Sequence, residues 1–305
     1  MDFVIDAPSE FSFDLCMGFL QRSPRELLHR WDNGRVRKLL QFGDRPVLFE
    51  LANEVPATDF PFVNLDQKRI RVRVLNTTLD SEERAVLERY IRAWFDLDTD
   101  LKPFYAKVAK DKLIGDLITR YHGYRIVGQP DLFESLVWAV LGQQINLAFA
   151  YTLKQRFVER FGVRFEFEGQ SYYTFPRPEI VAQLTDADLL PLQFSRQKSQ
   201  YTVTIGKAFA TRAVSQEGLE GMPLEEAKDI LMQIKGVGNW TANYALMKTF
   251  RYKDAFPAED VGVHNAIRLI KNSKRKPTVD EVRRLFRKYK GWEAYATLYL
   301  WRSLP

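Results

Sequence analysis

The sequence predicts an α+β protein, with an N-terminal domain built on a mixed antiparallel sheet over residues 1–100 and an all-α region over residues 101–305. Three observations carry this expectation. Ile70, Val72 and Val74 alternate with Arg69, Arg71 and Arg73, the period-two pattern of a half-buried strand. Asn33-Gly34, set between apolar segments, signals a tight hairpin turn. After Asp80 the apolar residues instead recur at three- and four-residue spacing, as on one face of a helix. A chain of 305 residues suffices for two or three compact units, and 46% apolar with 28% charged residues are ordinary globular values.

Along the chain, Phe11, Phe13 and Leu15 alternate with Ser12 and Asp14 and predict a strand, with Cys16 as a small buried apolar residue in it. The Asn33-Gly34 turn joins a short segment ending at Trp31 to the run Val36 to Phe42, and Val47 to Leu51 predicts the next strand. The arginine face of residues 69–73 suits either solvent or phosphate, and both readings stand. Asp80-Ser81-Glu82-Glu83 opens a helix, since acidic residues in a first turn complement the helix dipole. The sheet-rich part gives way to helices near Leu101-Lys102-Pro103. Phe133, Leu136, Val137, Val140 and Leu141 predict an amphipathic helix. Phe161 to Pro178, rich in Gly, Pro and aromatic residues, predicts a long loop. Thr185 to Asp188 resembles a capping box with Asp for Glu. Thr278 to Glu281 is a full one, opening a helix that carries Val282, Leu285 and Phe286.

Composition narrows the function classes. The single cysteine excludes an intrachain disulfide, a cysteine zinc cage and a four-cysteine iron–sulfur cluster within this chain. The first residues show no basic-then-apolar leader, and no apolar stretch reaches membrane-spanning length, so a cytoplasmic protein without a membrane partner is expected. A formal net charge of +6 favours a polyanionic partner.

The most informative stretch runs from Ile230 to Ala242. Apolar helix residues lead into Gly236-Val237-Gly238, and Thr241-Ala242 then starts a second helix. Two glycines one residue apart leave the backbone N–H groups of the turn unobstructed. The free N–H groups and positive dipole end of the next helix point the same way, which binds a phosphate without reading a base. The carbonyls of Met232, Ile234 and Val237 are placed to hold a monovalent cation, Na+ or K+, between hairpin and phosphate. A plain Gly-containing helix–helix turn has the same local pattern.

The stretch resembles the helix-hairpin-helix of the DNA glycosylase superfamily, which pairs this hairpin with a Gly/Pro-rich loop and an essential aspartate. Phe256-Pro257-Ala258-Glu259-Asp260-Val261-Gly262 supplies that aspartate as Asp260, 22 residues beyond Gly238. Phe133-Glu134 and Leu141-Gly142-Gln143-Gln144-Ile145 are similar to another helix of the family and the loop that follows it. Phe95 to Leu101 resembles the segment joining the two parts in the AlkA-type branch, bacterial 3-methyladenine DNA glycosylase II. The resemblance covers residues 95 to 305. It implies two helical subdomains flanking an active-site cleft, and an N-terminal domain like half of a TATA-binding-protein fold.

The resemblance implies N-glycosidic hydrolysis in base excision repair. Such cleavage passes through an oxocarbenium-like sugar, which a fixed carboxylate stabilises. Asp260 takes that role by the resemblance; on its own it reads equally as the N-cap of the helix through Val263, Ile267 and Ile270, and Glu259 is its neighbouring competitor. Relatives that also cut the strand carry a Schiff-base lysine two residues after the second glycine. Trp240 stands there, and Lys235 lies before the turn, so hydrolysis without lyase activity is expected. Trp240 and Tyr244, on one helix face with Met247, match aromatics of the AlkA-type base pocket, as does Trp301. Electron-rich rings attract a cationic base by roughly 0.5–2 kcal/mol, which suits bases of the 3-methyladenine and 7-methylguanine type flipped out of the duplex. The competing reading makes these aromatics core residues; Trp292, Tyr295 and Tyr299 are taken as core. Gln144 falls where the branch often has a leucine wedge; Gln143 and Gln144 also fit as helix-end caps. Lys271, Lys274, Arg275 and Lys276 suit phosphate contacts or a solvated loop.

The DNA-binding set is therefore Gly236, Val237, Gly238, Thr241, Gln143 and Gln144, acting as a monomer on damaged double-stranded DNA in the nucleoid, with no required cofactor. A glycosylase for oxidised or deaminated bases, a bifunctional lyase, and a non-catalytic hairpin DNA-binding protein are the alternatives.

Overall fold

In the computed structural model, which describes residues 1–54 and 68–304, the chain begins with a strand that its own period-two pattern encodes: β1 (Asp2–Ala7) buries Phe3 and Ile5. β2 (Arg30–Asp32), β3 (Arg35–Phe42), β4 (Arg45–Asn53) and β5 (Lys68–Val74) follow. They form one antiparallel sheet in the order β1-β5-β4-β3-β2. Asn33 and Gly34 both take positive φ between β2 and β3, as a two-residue hairpin requires. Ile70, Val72 and Val74 are buried. The arginines alternating with them face outward, where Arg71 pairs with Glu54 and Arg73 with Asp2, so this face is a solvated, ion-paired one.

Two expectations change. Phe11 to Leu15 is not a strand. Ser12 accepts the Leu15 N–H and caps the helix Phe13–Leu20, which places Phe13, Cys16, Met17 and Leu20 on one buried face. Three alternating residues were too short a sample to separate the two periods, and the N-cap decides. Cys16 is buried as expected, but in a helix. Residues 161–178 are not all loop: β6 (Arg164–Phe167) and β7 (Gln170–Tyr173) pair across Glu168-Gly169, both at positive φ. Tyr172 and Phe165 of this ribbon pack with Leu39 and Leu48, so its aromatic residues extend the sheet's core.

The remaining elements are helices. Ser81–Trp94 opens with a capping box at Asp80 and Glu83, and those at Thr185 and Thr278 are also present. Leu132–Gly142 is buried along its whole length from Leu132 to Leu141, so its amphipathic pattern understates it. It packs against Leu147–Phe161, Arg196–Ala210 and Asn239–Phe250. None of the helices among the described residues is long and apolar enough to cross a membrane.

The N-terminal sheet region and the helical region are joined by buried polar links. Arg125 is fully buried and donates to the Asp96 carbonyl at 2.7 Å and to Glu10 at 3.2 Å. Lys154 bridges Glu26 at 2.9 Å and Glu134 at 3.5 Å. Burial opposes the charge of Glu26, yet the ammonium beside it holds the carboxyl down at about 2. Gly123 closes the same seam with φ +83, and a Cβ there would stand 1.8 Å from the Glu10 carbonyl oxygen. Gly123→Ala is therefore expected to destabilise the fold by about 3 kcal/mol or more, measured as a lowered denaturation midpoint.

Candidate active site

The hairpin forms because the helix Leu224–Met232 ends in a reversal that only glycine tolerates. Val237 N–H donates to the Ile234 carbonyl at 3.0 Å, and Gly236 has φ +100 with the Tyr201 ring lying where a Cβ would be. Gly238 is the N-cap of Asn239–Phe250, with no side chain satisfying the first N–H groups. Gly238 is exposed, and a Cβ on it would meet nothing within 4 Å. These N–H groups open onto a groove of about 850 Å³ lined by the hairpin, Gln143, Gln144 and Lys198. Val237 turns its side chain inward. Thr241 is only 2% exposed and its hydroxyl accepts from Gln143 Nε2 at 3.0 Å, so its side chain braces the neighbouring loop. Gln143 also donates to the Gly236 carbonyl at 3.1 Å. It ties loop to hairpin, while Gln144 stands exposed beside it at φ +57. The carbonyls of Met232 and Val237 accept no hydrogen bond among the described residues, and that of Ile234 accepts one, which leaves lone pairs suited to a cation.

Asp260 caps the helix Val261–Ile270 and is 8% exposed. Its Oδ1 accepts the Val263 N–H and the Trp301 Nε1–H, each at 2.8 Å, and its Oδ2 accepts the Trp240 Nε1–H at 2.8 Å. The cap and catalytic readings of this residue are thus compatible: one oxygen serves the helix, and two indoles aim the carboxylate. Gly262 permits the approach, since a Cβ there would lie 2.9 Å from Asp260 Oδ1 and 3.0 Å from the Trp301 ring. Glu259 points elsewhere, accepting from Asn239 at 3.0 Å and pairing with Arg283 at 3.2 Å.

From Asp260 an aromatic wall continues. Trp240 stacks on Tyr244 with centroids 5.4 Å apart, and Trp301 lies 6.2 Å from Tyr244. The structure adds residues the sequence did not reveal. Trp138 Nε1 donates to the Tyr244 hydroxyl at 3.0 Å, and Tyr151 packs 4.8 Å from Trp138. Arg22, from the N-terminal region, donates to the Tyr151 hydroxyl and lies 3.9 Å over Phe19. A signal for Trp138 was present: a helix apolar on every face must be covered on every face. None pointed to Arg22, 129 residues from its partner. Tyr295 and Tyr299 are fully buried in the core, as is Met247. Of the basic run, Arg275 pairs with Glu281 at 2.7 Å.

A hairpin whose helix N-terminus faces a groove, set beside a capped carboxylate and an aromatic wall, defines the class of helix-hairpin-helix base-excision proteins. The chain belongs to that family: the model of the HhH-GPD superfamily base excision DNA repair protein matches residues 137–291. The 8-oxoguanine DNA glycosylase N-terminal domain matches residues 50–136. A DNA-3-methyladenine glycosylase of Bacillus subtilis is 39% identical over 99% of this chain and 96% of its own length. Among solved structures, a 3-methyladenine DNA-glycosylase from Archaeoglobus fulgidus superposes with a TM-score of 0.82 at 24% identity, covering 98% of this chain and 97% of its own. An 8-oxoguanine glycosylase/lyase from Clostridium acetobutylicum does so at 0.71 and 17%, covering 99% and 96%. At these identities the likeness is one of fold.

Proposed function

We propose that the protein is a monofunctional DNA glycosylase of base excision repair, which flips alkylated bases of the 3-methyladenine and 7-methylguanine type from double-stranded DNA and releases them by hydrolysis. The observation that carries this reading is the carboxylate of Asp260, aimed by two indole N–H groups at the foot of the Trp240–Tyr244 wall. The full-length similarity to a DNA-3-methyladenine glycosylase supports the substrate class. The hairpin N–H groups hold a phosphate, with a monovalent cation on the carbonyls of Met232, Ile234 and Val237. The flipped base stacks on Trp240 and Tyr244, with Trp301 beside it, and Gln144 enters the vacated gap. As the C1′–N bond breaks, its electron pair leaves with the base and Asp260 stabilises the positive charge growing on the sugar. Water then adds at C1′ and gives up a proton to solvent, leaving the free base and an abasic sugar with a C1′ hydroxyl. Cytoplasmic action as a monomer on the nucleoid is part of this proposal.

Strand cleavage by a bifunctional lyase is the second reading. Against it, Trp240 occupies the expected lysine position and bonds Asp260 instead. Incubation with methylated duplex DNA tests both. Release of methylated bases with no borohydride-trapped protein–DNA adduct is expected. A trapped adduct establishes the lyase, and failure to release any base overturns the proposal.

A further inference from the structure

Lys198, in the helix Arg196–Ala210, is buried and lines the hairpin groove, and the chemistry above assigns it no step. Its ammonium donates to the Val140 carbonyl at 2.9 Å and to the Gln143 carbonyl at 2.6 Å. Both lie at the C-terminal end of Leu132–Gly142, where a cation is favoured, and the Val140 carbonyl also accepts the Gln143 N–H at 3.2 Å. Burial draws the Lys198 ammonium down to about 8, so the charge is kept there against its solvation and needs those two acceptors. The Gln143 side chain is fixed in turn to Gly236 and Thr241. At the other end of the loop, Asn146 accepts the Phe149 N–H at 2.9 Å and fixes the start of the next helix. Between these fastenings Gln144 is exposed and left-handed, a conformation that an L residue holds only when its surroundings impose it.

We propose that Lys198 is a positioning residue for base extrusion: it ties down the loop of residues 143–146 so that Gln144 stands where the flipped nucleotide leaves a gap. The inference rests on the glycosylase reading. It makes a distinctive demand. A wedge matters when a paired, stacked base must be displaced and its hole filled, and matters little when the lesion is already unpaired. A lysine that merely stabilised the fold would affect both cases alike.

The test is the single-turnover release of 7-methylguanine placed opposite cytosine or opposite a tetrahydrofuran abasic analogue. Lys198→Met is expected to slow release opposite cytosine by about tenfold, as for loss of a hydrogen bond from a charged donor, and to leave release opposite the abasic analogue nearly unchanged. In a Gln144→Ala background, Lys198→Met is expected to cost nothing further, because the two act as one unit. Lys198→Gln, which keeps an N–H donor, is expected to fall between and carries the comparison should the methionine variant not fold. Equal slowing on both duplexes, or a full additional loss in the Gln144→Ala background, overturns the inference. No release by the wild-type protein from either duplex overturns the 7-methylguanine part of the glycosylase reading, and the inference with it.

Discussion

Asp260→Asn is expected to slow base release by about 10³-fold, the scale of losing a main electrostatic contribution, while DNA binding persists. The substitution keeps the volume and removes the charge. It does so in a site where three N–H groups converge on the two carboxylate oxygens. An asparagine accepts from Val263 and Trp301 through its single oxygen, but its amide then confronts the Trp240 indole, donor against donor. Leaving that indole unpaired costs about 1–3 kcal/mol, so some lost activity belongs to pocket geometry rather than charge. Trp240→Phe separates the two: it keeps the carboxylate and deletes the bond, and is expected to lose activity by about tenfold. Glu259→Gln is expected to do little, because Glu259 is committed to Asn239 and Arg283. Single-turnover rates beside binding isotherms check all three. An Asp260→Asn rate within tenfold of wild type would remove the carboxylate from the mechanism.

The candidate site was legible in the sequence where it rests on backbone geometry. Gly236-Val237-Gly238 and an aspartate 22 residues later are local signals, because a hairpin and an N-cap are each made by a few consecutive residues. The β5 pattern and the Asn33-Gly34 turn were legible for the same reason. The failures have two causes. At Phe11 to Leu15 one hydrogen bond accepted by Ser12 outweighs a three-residue alternation. At Phe161 to Pro178 the glycine and proline signals were seen, but the two short strands are stabilised by packing on Leu39 and Leu48, more than a hundred residues away in sequence. Arg22, Tyr151 and Lys198 were invisible for that reason too: each matters through a partner brought near by tertiary packing. Trp240 shows the converse. Its identity excluded a lysine from the sequence alone, but its bond to Asp260 needed coordinates.

The two hairpin glycines are expected to fail in different ways when substituted, which tests whether the backbone itself grips DNA. Gly236→Ala meets two obstacles. A φ of +100 is unfavourable for any L side chain, and the new Cβ would stand 2.3 Å from Tyr201 Cγ. That atom is the root of the ring, and the Tyr201 hydroxyl is held by Gln197 at 2.8 Å, so the ring cannot simply swing aside. The hairpin must move instead, carrying with it the Gly236 carbonyl that anchors Gln143. A stability loss of about 2–4 kcal/mol is expected, with weakened DNA binding. Gly238→Ala has no such difficulty. Its φ of −96 is ordinary and the space beside it is empty, so stability should change by no more than about 0.5 kcal/mol. In the proposed DNA complex, that empty space is where the phosphate approaches the free N–H groups. Gly238→Ala is therefore expected to fold normally and bind DNA about tenfold or more weakly, the scale of one charge-assisted contact. The slope of log affinity against log salt should hardly change, since no cationic side chain is lost. Denaturation midpoints and binding isotherms at two salt concentrations check both variants. Wild-type affinity in Gly238→Ala would mean that the hairpin is only a turn.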